Sequence, residues 1–210
     1  MINVIIADDH EIIRRGLKQI LGGESDISVV AEASSSEDLM DKLKKIRCHV
    51  VLLDISLPGR SGIDALKDIK KLYPQVGVLM LSMYSEKVYA LRAIRDGAAG
   101  YLTKETASDE LILAIKKVSA GEKYITPRVA EQLASAIETG GTSNLHENLS
   151  DREFEIFKLL AAGKTVSHIA RELFLSVKTV NAHRQNILQK LHLKTTAEMV
   201  RYAIEHKLLD

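Results

Sequence analysis

The sequence predicts an α/β protein, a doubly wound five-stranded parallel sheet, followed by a small all-α domain of four helices. Three observations predict it. Five short runs in the first 120 residues are β-rich and almost continuously apolar, as parallel strands covered on both faces require. Segments with helical spacing separate these runs, which implies right-handed βαβ crossovers with helices on both faces. After about residue 150 the strand pattern does not return.

The strands are expected at NVIIA (3–7), SVVAEA (28–33), VVLLD (50–54), VGVLMLS (76–82) and GYLT (100–103). Ile13, Leu17 and Ile20 mark the first helix; Leu39, Leu43 and Ile46 the second; Leu66, Ile69 and Leu72 the third. Leu91 and Ile94 mark the fourth, and Leu111, Ile115 and Val118 the fifth. Another helical segment lies near 127–138, and ETGGTSNLHENLS (138–150) then reads as a flexible linker. SDREFEIFKLLAAG opens with a Ser-x-x-Glu capping box, Ser150 to Glu153, and ends at Gly163. VSHIARELF, SVKTVNAHRQNILQKL and TAEMVRYAIEHKLL are the remaining helices. The expected domains are 1–121, a helix and linker over 122–147, and 148–210.

Composition excludes some classes. Hydrophobic content of 46% and charged content of 27% are ordinary for a globular protein, and the formal net charge is +1. No apolar run approaches the roughly 20 residues that span a bilayer, so no membrane partner is expected. MINVII lacks the features of a signal peptide. The single cysteine, Cys48, cannot form an internal disulfide, and a reducing, cytoplasmic setting is expected.

Ligands of open parallel sheets bind beyond the carboxyl ends of the strands. There the first strand ends in Asp8 and Asp9, the third in Asp54, the fourth in Ser82, and Lys104 follows the fifth. Each residue alone has a plain explanation: a strand-end aspartate usually caps a helix, and a lone lysine is usually on the surface. Together they form a set. Crowded carboxylates repel and raise each other's pKa, which a divalent cation or a lysine relieves. Hard oxygen ligands suit Mg2+, which prefers to share a phosphate. A hydroxyl and an ammonium suit phosphoryl oxygens. Asp54, on the central strand, is the natural nucleophile, because carboxylates form acyl phosphates.

ADDH, LLDISLPGRSG, LS at 81–82 and GYLTK cover the N-terminal half. In these motifs the chain resembles the flavodoxin-like receiver domain of two-component response regulators. The resemblance implies that Asp54 accepts a phosphoryl group from a sensor histidine kinase. It implies that Asp9 and Asp54 bind Mg2+ directly, Asp8 through water, and Ser56 through its backbone carbonyl. Ser82 and Tyr101 would be the switch pair. Met83 stands where many receivers have a smaller residue, and is expected to narrow access to the pocket. His10 is read as lining the pocket, not as a second acceptor.

TVSHIARELFLSVKTVNAHRQNILQKL (165–191) reads as helix, turn, helix. On a wheel, Val177, Val180, Ile187, Leu188 and Leu191 share one face. Lys178, Asn181, Ala182, Gln185 and Gln189 share the other. Asn and Gln can bond adenine bidentately and Ala can touch a thymine methyl. From Lys178 to Lys194 every charged residue is positive, which suits a helix facing phosphates. A plain amphipathic surface helix would show the same polarity. The segment from Leu149 to Leu191 resembles a LuxR-type DNA-binding domain, and the whole chain a NarL/FixJ-type response regulator. That resemblance implies that Asn181, Ala182 and Gln185 face base edges. Lys178, Thr179, His183 and Arg184 would grip phosphates or sugars of double-stranded promoter DNA. The last helix would pair two phosphorylated copies through Met199, Val200 and Ala203.

The expected function is a phosphorylation-dependent transcription regulator, not a turnover enzyme, with slow autodephosphorylation at most. Aspartyl-phosphate phosphatases of the haloacid-dehalogenase type carry a second acid two residues after the nucleophile, and here that position is Ser56. A small-molecule sensor behind a LuxR-type domain is the other rival; the acid cluster and the five βα units speak against it.

Overall fold

The computed structural model describes all residues except 59, 84, 85, 107, 139–144, 207 and 210, and does not describe the side chains of 86–88, 132, 135–138 and 147. The described chain divides into two compact units, Met1–Ala134 and Ser135–Asp210. The division falls within a helix, Pro127–Glu138, not before it. The centre of the expected flexible linker, 139–144, lies outside the described residues. Its end is ordered as a 3-10 turn, Leu145–Asn148.

In the first unit, β1 (Ile2–Ala7), β2 (Ile27–Ala33), β3 (Val50–Asp54), β4 (Gly77–Ser82) and β5 (Gly100–Thr103) form one parallel sheet in the order β2-β1-β3-β4-β5. The helices between them are α1 (Glu11–Gly22), α2 (Ser36–Leu43), α3 (Gly62–Leu72) and α4 (Glu86–Arg95), and α5 (Ser108–Ser119) follows β5. Side chains alternate across the sheet. Val4, Ile6, Val50, Leu52, Leu79, Leu81 and Leu102 join one cluster with Leu21 of α1 and Leu111, Ala114, Ile115 and Val118 of α5. Ile5, Val51, Leu53, Met80 and Tyr101 alternate with these and are also buried, so the inner strands are covered on both faces, while the edge strand β2 is mostly half-buried. Burial on both faces explains why the strands read as apolar runs.

The strand order reverses between β1 and β3, because β2 was added on one side of β1 and β3 on the other. That reversal opens a crevice at the carboxyl ends of β1 and β3. Asp8 and Asp9 follow β1, and Asp54 ends β3.

The second unit holds α7 (Asp151–Ala161), α8 (Val166–Glu172), α9 (Val177–Lys190) and α10 (Thr196–Glu205); the Pro127–Glu138 helix is α6. Four hydroxyl residues, Ser150, Thr165, Ser176 and Thr195, cap α7 to α10 through the N3 backbone N–H. The expected capping box is present: Ser150 Oγ accepts from Glu153 N at 3.3 Å, and Glu153 Oε2 accepts from Ser150 N at 2.8 Å.

Candidate functional site

Asp8 and Asp54 are almost fully buried at the strand-end crevice. Two such carboxylates need compensation, and Lys104 supplies it. Its Nζ lies 2.7 Å from Asp8 Oδ2 and 2.8 Å from Asp54 Oδ2, and its own side chain is 5% exposed. The sheet delivers the lysine: β5 pairs with β4, Ser82 is opposite Thr103, and Lys104 N donates to Ser82 O at 2.8 Å. Ser82 is itself buried one strand from Asp54, whose register partner is Leu81.

Each acid is also oriented by backbone. Asp8 Oδ1 accepts from His10 N at 2.9 Å, and Asp54 Oδ1 accepts from Ser56 N at 3.2 Å. Asp8 thus does braces the entry to α1, as a strand-end aspartate commonly does, while its other oxygen serves the cluster. The loop after Asp54 is pinned from α2, where the buried Ser36 hydroxyl donates to Arg60 O at 2.8 Å. Helix α3 starts at Gly62, whose N–H donates to Ile55 O at 2.8 Å. A Cβ at Gly62 would lie 1.8 Å from Asp54 O, so only glycine permits this approach.

Burial pushes the Asp54 carboxyl above its ordinary pKa; Lys104 opposes this and the Asp8 charge reinforces it. Burial alone would lower the Lys104 ammonium, but Asp54 and Asp8 outweigh it and raise its pKa. The lysine therefore stays charged.

Ligand atoms of Asp8, Asp9, His10 and Asp54 all lie within 4.8 Å of one another. Asp9 Oδ1 is buried and makes no hydrogen bond; His10 Nδ1 stands 2.8 Å from it. An oxygen-rich set with an unsatisfied carboxylate oxygen fits a hard divalent cation. Two further residues hold the site that the sequence did not single out. Arg14 Nη1 donates to the carbonyl of Asp8 at 2.7 Å. Gly62 lay in a motif, but its packing against Asp54 depends on the fold.

In the helical unit, Lys178, Asn181, Ala182 and Gln185 are all exposed on α9. Val180, Ile187 and Leu188 of α9 face the unit's interior, and Leu191 beyond it is buried as well. Lys190 Nζ pairs with Glu153 Oε2 at 2.6 Å, and Arg152 Nη2 donates to Leu173 O at 2.9 Å, fixing α9 and the turn before it against α7. Burial raises the Glu153 carboxyl, but Lys190 and the hydrogen bonds from Ser150 outweigh it and hold its pKa below the ordinary value.

The family models match both units: a response regulator receiver domain over residues 4–116, and the luxR family of bacterial regulatory proteins over 147–203. The oxygen regulatory protein NreC of Staphylococcus aureus (strain bovine RF122 / ET3-1) is 37% identical over 214 residues, with 99% of each chain covered. The chain is a response regulator. RcsB from Salmonella enterica serovar Typhimurium, bound to promoter rprA in the presence of phosphomimetic BeF3−, is a similar solved structure. It is 29% identical, with a TM-score of 0.65, covering 96% of this chain and 97% of that one. A LuxR-family regulator from Aurantimonas sp. SI85-9A1 is 30% identical with a TM-score of 0.59, covering 63% of this chain and 95% of that one.

The response regulator brings Asp8, Asp9, Asp54 and Lys104 together, with Ser56 beside Asp54 through its backbone and Ser82 on the adjoining strand. Tyr101, on β5, is buried. Met83, expected to narrow access to the pocket, is 69% exposed. In the output domain three expectations change. Met199 and Ala203 are fully buried where α10 packs on α7, so they cannot be surface contacts between copies; Val200 is half-buried. Arg184 is turned to α10, its Nε and Nη2 donating to Thr196 Oγ1 at 3.1 and 3.0 Å. His183 is half-buried and burial lowers its pKa, which leaves it a neutral ring N–H for the expected contact to phosphate or sugar. Val177, placed on the apolar face by the wheel, is instead exposed.

Proposed function

We propose that Asp54 accepts a phosphoryl group from a sensor histidine kinase and that this charge controls binding to promoter DNA. The observation that carries the proposal is the Lys104 bridge across Asp8 and Asp54 at the β1/β3 crevice. In the transfer, a carboxylate oxygen of Asp54 forms a bond to phosphorus as the bond to the kinase's histidine nitrogen breaks. Burial above its ordinary pKa makes Asp54 a more basic, better nucleophile. Ser56 N–H and Lys104 Nζ orient the carboxylate. Asp9, Asp54, the Ser56 carbonyl and, through water, Asp8 would hold Mg2+, which when bound neutralises the acids and polarises phosphoryl oxygens. Lys104 and Ser82 then bond the new phosphoryl oxygens, and Tyr101 follows Ser82 in a two-state switch.

With Ser56 where a phosphatase would carry its second acid, hydrolysis is slow and the protein is a signal carrier, not a turnover enzyme. It acts in the cytoplasm. In the output half, Asn181, Ala182 and Gln185 read base edges, while Lys178 and the helix-start hydroxyl of Thr179 hold the backbone. Phosphorylated copies bind as a dimer, with Val200 as a candidate contact. RcsB, recorded as two dimers bound to two parallel DNAs, supports that arrangement. The test is phosphorylation by the cognate kinase and promoter binding, with and without Asp54→Ala. Retention of the phosphoryl group by that variant would reject the assignment.

A further inference from the structure

The turn into α9 exposes apolar surface that its amphipathic design does not require. Among the described residues of the second unit, the large exposed apolar side chains are Phe174 at 73%, Val177 at 47% and Ile204 at 61%. Two of the three lie within four residues, on either side of the Ser176 cap. Phe174 also adopts φ 54°. The left-handed turn closes α8: Phe174 N donates to Arg171 O at 3.3 Å and Leu175 N to Ala170 O at 2.8 Å, a helix end at which glycine is the usual residue. Exposed His192, φ 55°, closes α9 in the same way, so what sets Phe174 apart is the apolar ring it leaves in water at the entry to α9.

The surroundings say what the pair faces. Val177 is the first residue of α9 and stands one turn before Asn181, at i and i+4; it has the phase of the buried face but is 47% exposed at the helix start, so it borders the stripe of Asn181 and Gln185. The N-terminal end of such a helix is the part that reaches base edges. Arg171 and Lys178 bracket the pair in sequence, and both are exposed. Apolar side chains ringed by cations match one surface well: a thymine 5-methyl group in a groove lined by phosphates. An acidic protein partner would match the cations but not the continuity with the amide-bearing stripe.

We propose that Val177 and Phe174 form an apolar extension of the DNA-reading face and set specificity by contact with thymine methyl groups. The inference rests on the DNA-reading assignment of α9 and adds two residues to it.

The probe is a duplex selected from a random pool by the phosphorylated full-length protein, with each thymine replaced in turn by deoxyuridine, which lacks only the methyl. The wild-type protein should lose about three- to tenfold in affinity at one or two positions. Val177→Ser and Phe174→Gly should bind the parent duplex more weakly by a similar factor, and lose no further affinity on those deoxyuridine duplexes. Phe174→Gly suits the backbone at that position, so its folding is preserved, and far-ultraviolet circular dichroism checks it. If the variants keep the full deoxyuridine penalty, or bind the parent duplex as wild type does, the proposal is overturned and the pair faces a protein instead. If Asn181→Ala alters the selected sequence while that happens, the base-reading assignment survives and only this extension fails. If the wild type selects no sequence, both fail together.

Discussion

Gly62→Ala is the substitution whose consequence for the acceptor site can be worked from distances. The added Cβ would lie 1.8 Å from Asp54 O, 2.8 Å from Asp54 C and 2.9 Å from Ile55 Cα. Real Cβ atoms do not approach other atoms closer than 3.0 Å, so the helix start and the strand end must separate by at least 1.2 Å, the difference from 1.8 Å. All the obstructing atoms are backbone, and no side-chain rotation relieves them. Overpacking of this kind costs about 1–3 kcal/mol, a fall of roughly 4–12 °C in the melting temperature of a unit this size. The functional loss should be larger. Asp54 is held between Ser56 N at 3.2 Å and Lys104 Nζ at 2.8 Å, and displacing a reacting group by about 1 Å can lower a rate by about 100-fold. The assay is the initial rate of phosphoryl transfer from the purified kinase, measured well below the variant's melting temperature. Gly62→Ser should be at least as impaired. A wild-type rate in a folded Gly62→Ala protein would refute the claim that this contact positions Asp54.

Other outcomes follow from the same geometry. Lys104→Met leaves two buried carboxylates without their ammonium and should cost about 3–5 kcal/mol in thermal or urea unfolding; adding Asp54→Asn should recover part of that loss, and strict additivity would contradict the bridge. Asp54→Asn alone should raise the melting temperature at pH 7. The folded pKa of Asp54 is raised, so its contribution is present below the ordinary carboxylate value and lost as pH rises through the folded one; the variant's advantage should therefore vanish near pH 4 and grow upward, as melting curves across pH would read. Glu153 has the opposite sign: its pKa is lowered from 4.5, so its contribution is present at neutral pH and lost as pH falls through the folded value. Glu153→Gln should cost about 1 kcal/mol at pH 7, little of it from the partly exposed Lys190, and the cost should shrink in acid. Asn181→Ala and Gln185→Ala should each change base preference by about 1–3 kcal/mol at one position, whereas Lys178→Ala should weaken all sequences and lower the salt slope by about 1 in filter-binding titrations.

What the sequence made legible was set by period and by chain ends. All five strands lie within one residue of their expected bounds, because parallel strands buried on both faces leave unbroken apolar runs. The acid cluster was legible because parallel strands must deliver their carboxyl ends to one side of the sheet. Helix wheels were less reliable, since a wheel gives direction but not what covers that direction. Met199 and Ala203 form a stripe that suits a partner copy equally well as the neighbouring α7, and here α7 covers it. Val177 has the phase of a core residue but sits at the helix start and is exposed. Arg184 counted as a free cation until Thr196, 12 residues away, turned out to accept from it. Arg14 braces Asp8 through a backbone carbonyl, which residue identity does not announce.

The resting site already holds a cation of its own, and this bears on how a switch is built here. Lys104 divides one ammonium between Asp8 Oδ2 and Asp54 Oδ2. A divalent cation held by these acids would compete with the lysine for their charge. If Asp54 is phosphorylated as proposed, the better partner of the lysine would be that dianion, which would free Asp8 from it. The same four groups thus have two low-energy pairings, selected by one covalent event. Such exchange of partners requires that Lys104 remain protonated in both, and the raised pKa imposed by the acids around it secures this. Ser82 and Tyr101 are buried on β4 and β5, and β5 leads into Lys104, so they lie next to any such exchange. The arrangement trades resting stability for that sensitivity, and the expected stabilisation by Asp54→Asn is its thermodynamic trace.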